Sequence, residues 1–198
     1  MSQVFVSGHK SPDTDSIAAA LSYSYLKRRL GMDAVAVRAG EINKESRFAL
    51  DYFNLEEPML VTSVARKKKK KKKQKVILVD HNESKQTIDG MDDAEVLEII
   101  DHHRFGDFES ENPIFILVRP VGCVNTVIYG LYKANHIKPS REIAGIMLSA
   151  IISDTVLFRS PTTTEEDKET AKELAEIAGV DYEAYGMEML KAGADISD

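Results

Sequence analysis

The sequence predicts an α/β domain with a doubly wound, mostly parallel sheet and helices on both faces. Two apolar runs, KVILVD at 75–80 and VLEIIDHH at 96–103, consist mainly of β-forming residues and end in acids or imidazoles. Such runs are typical of strands that are buried on both faces of a parallel sheet. Segments with helical spacing alternate with the strands, which favours a sheet whose ligands bind beyond the carboxyl ends of its strands.

The first half of the chain supplies three strands and two helices. Val4–Val6 is a short apolar run that predicts the first strand. A helix is predicted over 16–30, because apolar residues recur at helical spacing, the last turn is basic and Gly31 can end it. The remaining elements predicted in this half are a strand at 34–37, a helix at 44–53 and a strand at 59–61.

The second half adds one more strand after the two apolar runs and then continues as helices. The helix predicted over 142–152 is apolar on much of its circumference, so we expect it to be central and buried. Thr164 and Asp167 resemble a capping box, and they open a helix that Gly179 ends. The other elements predicted here are a strand at 114–118 and helices at 125–134 and 181–192.

Length and composition indicate one globular domain, which we expect to cover residues 1–198. The chain has 198 residues, of which 43% are hydrophobic and 29% charged, so it can bury a real core. No run approaches the ~18 apolar residues of a membrane span, and no signal-peptide pattern is present, so we expect a cytoplasmic protein with no membrane partner. The single cysteine, Cys123, excludes an internal disulfide and is expected to be a small buried residue.

The charge is distributed unevenly along the chain. The net charge is −6, but nine of the 26 basic residues lie at 66–75, which leaves 17 basic against 32 acidic residues elsewhere. An acidic body argues against a nucleic-acid partner, whose binding face should be basic. The run Lys67–Lys73 could grip a polyanion, but like charges repel and the run has no apolar face. We therefore expect 66–75 to be a solvated loop or linker.

The segment GHKSPDTDS at 8–16 directly follows the first predicted strand. It offers His9, Asp13 and Asp15, on a stretch that Pro12 is expected to keep from being helical. Closely spaced carboxylates repel one another unless a cation brings them together. A turn with an aspartate cap that opens the next helix explains this segment equally well.

Acids and imidazoles at the ends of other predicted elements add to the residues of this motif. Asp80 ends KVILVD, and His102 and His103 end the next apolar run, so all should emerge at the same edge of the sheet. Asp154 follows an apolar helix, where a carboxylate faces the unfavourable end of the helix dipole. Two imidazoles with four carboxylates favour Mn²⁺, Co²⁺ or Mg²⁺ over structural zinc, and they could hold two cations ~3.5–4 Å apart.

Each member of this group also has a simpler structural interpretation. Any of these alternatives is the better explanation for its own residue, but together they do not explain why the residues share one edge. The alternatives are a turn cap at Asp80, an ion pair from Asp101 to Arg104, an Asx turn from Asp154 into Thr155, and opposite side-chain directions for the adjacent His102 and His103.

Four motifs, in this order and spacing, carry a family resemblance. GHKSPDTDS, VILVDHNE, IIDHHR and SAIISDT resemble the N-terminal domain of family II (manganese-dependent) inorganic pyrophosphatases, members of the DHH phosphoesterase superfamily. RPVGC, LFRSPT and the tail MLKAGADIS extend the resemblance over nearly the whole chain. It implies one metal at His9, Asp13 and Asp80 and another at Asp15, Asp80, His102 and Asp154. Asp80 would then bridge the metals, and His103 would reach the phosphate, as a general acid.

The resemblance also implies cofactors, partners and limits. It implies two Mn²⁺ per chain with Co²⁺ as a substitute, Mg²⁺ on the substrate, hydrolysis of pyrophosphate to phosphate, and a homodimer. Family members continue into a second domain with a basic substrate clamp, so we expect these 198 residues alone to have low activity. Some members carry a regulatory insertion where the lysine run lies. The alternatives are a DHH-type phosphodiesterase acting on short nucleotides, and a metal-binding and dimerisation core without efficient catalysis.

Overall fold

Six parallel strands form a single sheet in the part of the chain that the computed structural model describes, residues 2–194. The strand order is β3-β2-β1-β4-β5-β6, so it reverses between β1 and β4, as in a doubly wound fold. The predicted α/β class is therefore confirmed. The strands are β1 (Val4–Ser7), β2 (Ala34–Arg38), β3 (Met59–Leu60), β4 (Lys75–Val79), β5 (Glu95–Asp101) and β6 (Phe115–Val118).

Six α-helices within residues 2–194 contribute buried residues to one large core cluster on one face of the sheet. The predicted central helix is confirmed, because eleven of the fifteen residues of α4 are buried. The predicted capping box of α5 is also present, with Thr164 and Asp167 bonded reciprocally. The helices are α1 (Thr14–Arg29), α2 (Lys44–Tyr52), α3 (Val124–Ala134), α4 (Arg141–Thr155), α5 (Glu165–Ala178) and α6 (Tyr182–Gly193).

The two faces of the sheet are covered differently. Alternate residues of β4 point to opposite faces, so Ile77 belongs to the helix-covered cluster and Leu78 to a smaller one. The smaller cluster is completed by the segment between β4 and β5, which contains two 3₁₀ helices, Ser84–Gln86 and Met91–Asp93. All the carboxyl ends of the strands meet at one edge of the sheet, because every pairing is parallel.

Two helix boundaries correct the sequence-based expectations. α1 begins at Thr14 and not at residue 16, so Asp15 lies in the first turn of the helix and not in the non-helical segment before it. Pro12 lies outside α1, and the Asp13 side chain caps this helix by accepting the Ser16 N–H. α4 extends to Thr155, so Asp154 lies within the last helical turn. The last residues of the tail motif, 195–197, lie outside the described residues.

The lysine-rich segment is anchored at both of its ends. The Arg66 guanidinium contacts the Asp93 carboxylate at 2.7 Å, and Lys75 is the first residue of β4. The expectation of a solvated loop or linker over 66–75 is too broad only at its ends, because Arg66 is ion-paired and Lys75 belongs to β4. Residues 67–72 between these anchors are exposed. No helix within residues 2–194 combines the length and the apolar character needed to cross a membrane.

Replacing Lys67–Lys73 with a Gly/Ser loop is expected to leave the melting temperature nearly unchanged. Exposed side chains of like charge repel one another, so an ordered conformation of this loop is not expected to stabilise the fold. Surface changes usually shift the free energy of unfolding by less than about 0.5 kcal/mol. Thermal unfolding followed by circular dichroism measures the change. Arg66→Ala is the control, and it should destabilise more because it leaves Asp93 without its ion pair. A large loss of stability in the Gly/Ser variant would mean that the lysines pack against the acidic body.

Candidate metal centre

The first part of the site lies where β1 leads into α1. His9 follows β1, Asp13 caps α1, and the fully buried Asp15 lies in the first turn of this helix. The chain can turn so closely here because Gly8 lacks a side chain: a Cβ at this position would lie 2.5 Å from the Ser16 Cβ. His9 Nε2 lies 3.5 Å from an Asp13 carboxylate oxygen, so these two predicted ligands are neighbours.

Asp80 is at the centre of the site. It follows β4 with a left-handed backbone (φ 62°), a conformation that Asp and Asn tolerate better than most residues, and its N–H donates to the Ile100 carbonyl at 3.0 Å. Its side chain is buried. One oxygen accepts the Ser16 hydroxyl at 2.9 Å and lies 3.4 Å from His9 Nε2. The other lies 3.1 Å from His102 Nε2, so Asp80 is shared between two imidazoles.

His102 and His103 turn toward the same place, which contradicts the alternative of opposite directions. Their ring centroids are 4.2 Å apart, and both rings lie within 4 Å of an Asp80 oxygen. Both residues follow the end of β5, so the alternation of side chains along a strand does not apply to them. The proposed Asp101–Arg104 ion pair is also wrong, because Arg104 contacts Glu83 while Asp101 accepts a hydrogen bond from His103 Nδ1 at 2.7 Å.

Three imidazoles of the site have the same hydrogen-bonding pattern at their ring nitrogens. In each, Nδ1 faces an oxygen acceptor, which leaves Nε2 as the nitrogen with a free lone pair in the neutral ring. This arrangement is typical of metal-binding histidines, because the outer hydrogen bond fixes the tautomer and the ring direction. The acceptors are the Lys10 carbonyl for His9 (2.6 Å), the Val121 carbonyl for His102 (2.9 Å) and the Asp101 carboxylate for His103 (2.7 Å).

A second pair of carboxylates lies behind His102. Asp15 lies 3.4 Å from His102 Nε2 and interacts with Asp154. Burial and the neighbouring negative charges raise the pKa of Asp15 to about 7 and that of Asp154 to about 12. The alternative of an Asx turn into Thr155 does not account for Asp154, because its carboxyl is hydrogen-bonded to Asp15. A cation placed here would offset the charges that now favour a protonated carboxyl.

Neighbouring carboxylates also raise the pKa values of His9 and His102, the imidazoles nearest to Asp80. Burial would lower the pKa of His9, but hydrogen bonds to Asp13 and Asp80 raise it to about 11. Burial would also lower the pKa of His102, but the hydrogen bond to Asp80 and the charge of Asp15 raise it to about 10. Burial would raise the pKa of Asp80, but these imidazoles hold it far below its usual range. Protons thus occupy positions that a divalent cation could take, and the donor set fits such a cation.

All six predicted metal ligands belong to groups whose potential ligand atoms lie within 4.8 Å of one another. Asp80 belongs to two of the groups. The predicted second set is not brought together as one group, because Asp15 and Asp154 are grouped with Cys123 and not with Asp80 or His102. Whether these residues bind metal stays a prediction. The three groups are His9, Asp13 and Asp80; Asp80, Asp101, His102 and His103; and Asp15, Cys123 and Asp154.

Several supporting residues were not predicted from the sequence. Asn125 Nδ2 donates to Asp15 at 2.6 Å, and Asn82 Nδ2 donates to Asp101 at 2.7 Å. Glu45 accepts hydrogen bonds from Thr14, next to Asp15, and from Ser153, next to Asp154. Asn82 was visible within VILVDHNE, but nothing in the sequence pointed to Glu45 or Asn125. Cys123 is a buried small residue, as predicted, and its thiol also donates to Asp15 at 3.0 Å.

A parallel α/β domain with acids and imidazoles gathered at the carboxyl edge of its sheet defines a class of candidate metal-binding domains. Residues 3–151 match the DHH family, N-terminal domain. The chain belongs to the DHH family. The resemblance to pyrophosphatases is confirmed by relatives named "probable manganese-dependent inorganic pyrophosphatase". Those from Exiguobacterium sp. and Bacillus licheniformis are each 55% identical over 197 residues.

The relatives are longer than this chain. The alignments cover all of this chain and 62% of each of these two relatives. A solved structure of a putative family II inorganic pyrophosphatase from Methanococcus jannaschii superimposes with a TM-score of 0.86 at 44% identity, over 96% of this chain and 61% of that one. An exopolyphosphatase-related protein from Bacteroides fragilis, at 17% identity and a TM-score of 0.69, shares the fold.

Proposed function

We propose that this chain is the catalytic core of an inorganic pyrophosphatase, which hydrolyses pyrophosphate to two phosphates. The single observation that carries the proposal is the buried Asp80 carboxylate, which lies between His9 and His102 with further carboxylates on both sides. Relatives that are 55% identical bear the name of a manganese-dependent inorganic pyrophosphatase. We place the protein in the cytoplasm, without a membrane or nucleic-acid partner, and the acidic body supports the latter.

Two Mn²⁺ per chain fit the donor set. Oxygen-rich sites with imidazole suit such divalent ions, Co²⁺ could replace Mn²⁺, and Mg²⁺ would accompany the substrate. When bound, the cations supply Lewis-acid chemistry, because they activate water and neutralise phosphate charge. One cation would be held by His9, Asp13 and Asp80, and the other by Asp15, Asp80, His102 and Asp154.

His103 is proposed as the general acid. Half of its side chain is exposed, unlike the deeper His102, so it can reach a phosphate above the cluster. Its hydrogen bond to Asp101 raises the pKa of His103 above its usual range, which favours the protonated ring. A protonated imidazole at this position can donate to the leaving phosphate, and Asp101 holds the ring in place.

A phosphate-release assay with added Mn²⁺ tests the proposal. We expect manganese-dependent hydrolysis of pyrophosphate, and His103→Gln should lower kcat by ~10²-fold or more without loss of manganese binding, as expected for a general acid. Arg104→Gln, next in sequence but paired with Glu83, is the control. Release of mononucleotides from dinucleotides without pyrophosphate hydrolysis would favour a DHH-type phosphodiesterase. Metal binding without hydrolysis of either substrate, even when the unmatched part of a relative is supplied in trans, would favour a dimerisation core.

The proposed homodimer would form through this domain, and β6 offers a surface for it. β6 is an edge strand of the sheet, and its Phe115 and Ile116 are about half exposed. An exposed apolar edge strand invites pairing with another chain. We expect Ile116→Lys to dissociate the dimer, as measured by analytical ultracentrifugation, whereas Leu60→Lys on the opposite edge should not. A wild-type chain that sediments only as a 22.1 kDa monomer would contradict the proposal.

A further inference from the structure

Asp167 is a fully buried carboxylate outside the group of candidate metal ligands. In its capping role at the start of α5 it accepts the Thr164 N–H at 2.8 Å. It also reaches a different part of the chain, where it accepts the Gly122 N–H at 2.8 Å and the Thr126 hydroxyl at 2.6 Å. A helix cap needs only the first of these contacts, so the others indicate a second role.

The additional contacts fix the segment between β6 and α3. Gly122 lies in this segment, and Thr126 lies in the first turn of α3. A Cβ at Gly122 would lie 2.7 Å from an Asp167 oxygen, so the close approach requires glycine. The neighbouring Glu166 receives two hydrogen bonds from Arg119, at 2.6 and 2.7 Å. The start of α5 therefore holds this segment from two sides.

The same segment and the first two residues of α3, together residues 119–125, supply the groups that orient two candidate metal ligands. The Val121 carbonyl accepts a hydrogen bond from His102 Nδ1 at 2.9 Å. The Val124 N–H donates to Asp15 at 3.0 Å, and the Asn125 side chain donates to Asp15 at 2.6 Å. Asp167 is thus one hydrogen-bonded step away from the groups that hold both His102 and Asp15.

We propose that Asp167 is a positioning residue for the metal site, because it holds the segment 119–125 that orients His102 and Asp15. The inference rests on the proposed function, since it extends the same metal site by one layer. Outer hydrogen bonds of metal ligands typically change metal affinity by ~10–100-fold when they are lost. Asp167 acts through the site made by Asp15, His102 and Asp154, and not through His9 and Asp13.

An asparagine can replace Asp167 in this role. Its amide oxygen can accept the Gly122 and Thr164 N–H groups, while its amide nitrogen can donate to the Thr126 hydroxyl, which is able to accept. An alanine loses all of these bonds. Asp167→Asn should therefore behave nearly as wild type, and Asp167→Ala should not. Gly122→Ala provides an independent variant, because its Cβ would push the segment away from an unchanged Asp167.

Manganese titration by calorimetry on the 198-residue chain gives the first readout. Asp167→Ala and Gly122→Ala should weaken one of the two binding steps about tenfold. Asp181→Ala is the matched control, because Asp181 caps α6 with its side chain and is not bonded to segment 119–125. Amide hydrogen exchange on metal-free protein gives the second readout. The Val124 amide, which donates to Asp15, should exchange faster in Asp167→Ala than in Asp181→Ala.

The outcomes separate this inference from the proposed function. One weakened binding step in Asp167→Ala, with recovery in Asp167→Asn, supports the positioning role. Unchanged titration and unchanged Val124 exchange in Asp167→Ala would overturn it, as would equal effects from Asp181→Ala. A wild-type chain that binds manganese but hydrolyses no pyrophosphate, even when it is fused to the part of the Bacillus licheniformis relative that it does not match, would remove the function and leave the positioning role standing. If the wild-type chain bound no manganese, the positioning role for a metal site would be overturned together with the proposed function, and the exchange comparison would report only whether Asp167 orders the segment.

Discussion

Asp80→Asn is expected to abolish manganese binding at both positions of the site. Asp80 is buried and lies between His9 and His102, so both proposed cations depend on its charge. A neutral amide removes that charge and offers one oxygen instead of two. The loss should exceed the ~10–100-fold typical of outer-layer residues, because a direct bridging ligand is removed. Asparagine is preferred to alanine because the left-handed backbone at this position tolerates it better.

Titration of the metal-free chain by calorimetry measures this effect. The wild-type chain should bind up to two Mn²⁺, His9→Ala should weaken mainly one of them, and Asp80→Asn should bind none at concentrations that saturate the wild type. Asp51→Asn, an exposed aspartate on α2, is the matched control for the loss of one negative charge. Two manganese ions bound to Asp80→Asn with wild-type affinity would show that Asp80 does not bridge the cations.

The same titration should depend on pH. His9 and His102 have pKa values raised to about 11 and about 10, and that of Asp154 is raised to about 12, so these groups carry protons at neutral pH. A cation must displace protons from them, so manganese affinity should increase as the pH rises and binding should release protons. Comparison of binding enthalpies in two buffers with different ionisation enthalpies measures that release.

A polypeptide of these 198 residues, tested alone, is expected to hydrolyse pyrophosphate slowly even when it is loaded with manganese. The resemblance assigns stabilisation of the leaving phosphate largely to a basic clamp in a second domain. Loss of even one such donor can cost ~10²–10³-fold in rate. Two basic side chains near the candidate metal ligands already form ion pairs, Lys10 with Asp89 at 2.5 Å and Arg104 with Glu83 at 3.3 Å. They are therefore poorly placed to replace the clamp.

Complementation is the measurement for this expectation. The part of the Bacillus licheniformis relative that this chain does not match, added in trans or fused after Ser197, should restore turnover by orders of magnitude. Manganese affinity should hardly change on addition, because the candidate ligands all lie in this chain. Full-speed hydrolysis by the 198 residues alone would show that the metals suffice, or that Lys10, Arg104 or Arg159 clamps the substrate locally.

The sequence was sufficient for the features that neighbours along the chain decide. Apolar runs that end in Asp80 and in the His102–His103 pair predicted parallel strands and a shared edge, because all parallel strands present their carboxyl ends on one side. The capping box of Thr164 and Asp167 was predictable for the same reason, since its two bonds join residues three apart.

Only the tertiary structure decided what joins distant parts of the chain. Glu45 links Ser153 to Thr14, and Asp167 reaches Gly122, which is 45 residues earlier. Periodicity and capping rules carry no information about such contacts, because they arise from how helices pack on the sheet. The common direction of His102 and His103 also came from tertiary structure: beyond the end of β5 the strand geometry no longer fixes the side chains, and the surrounding carboxylates orient them.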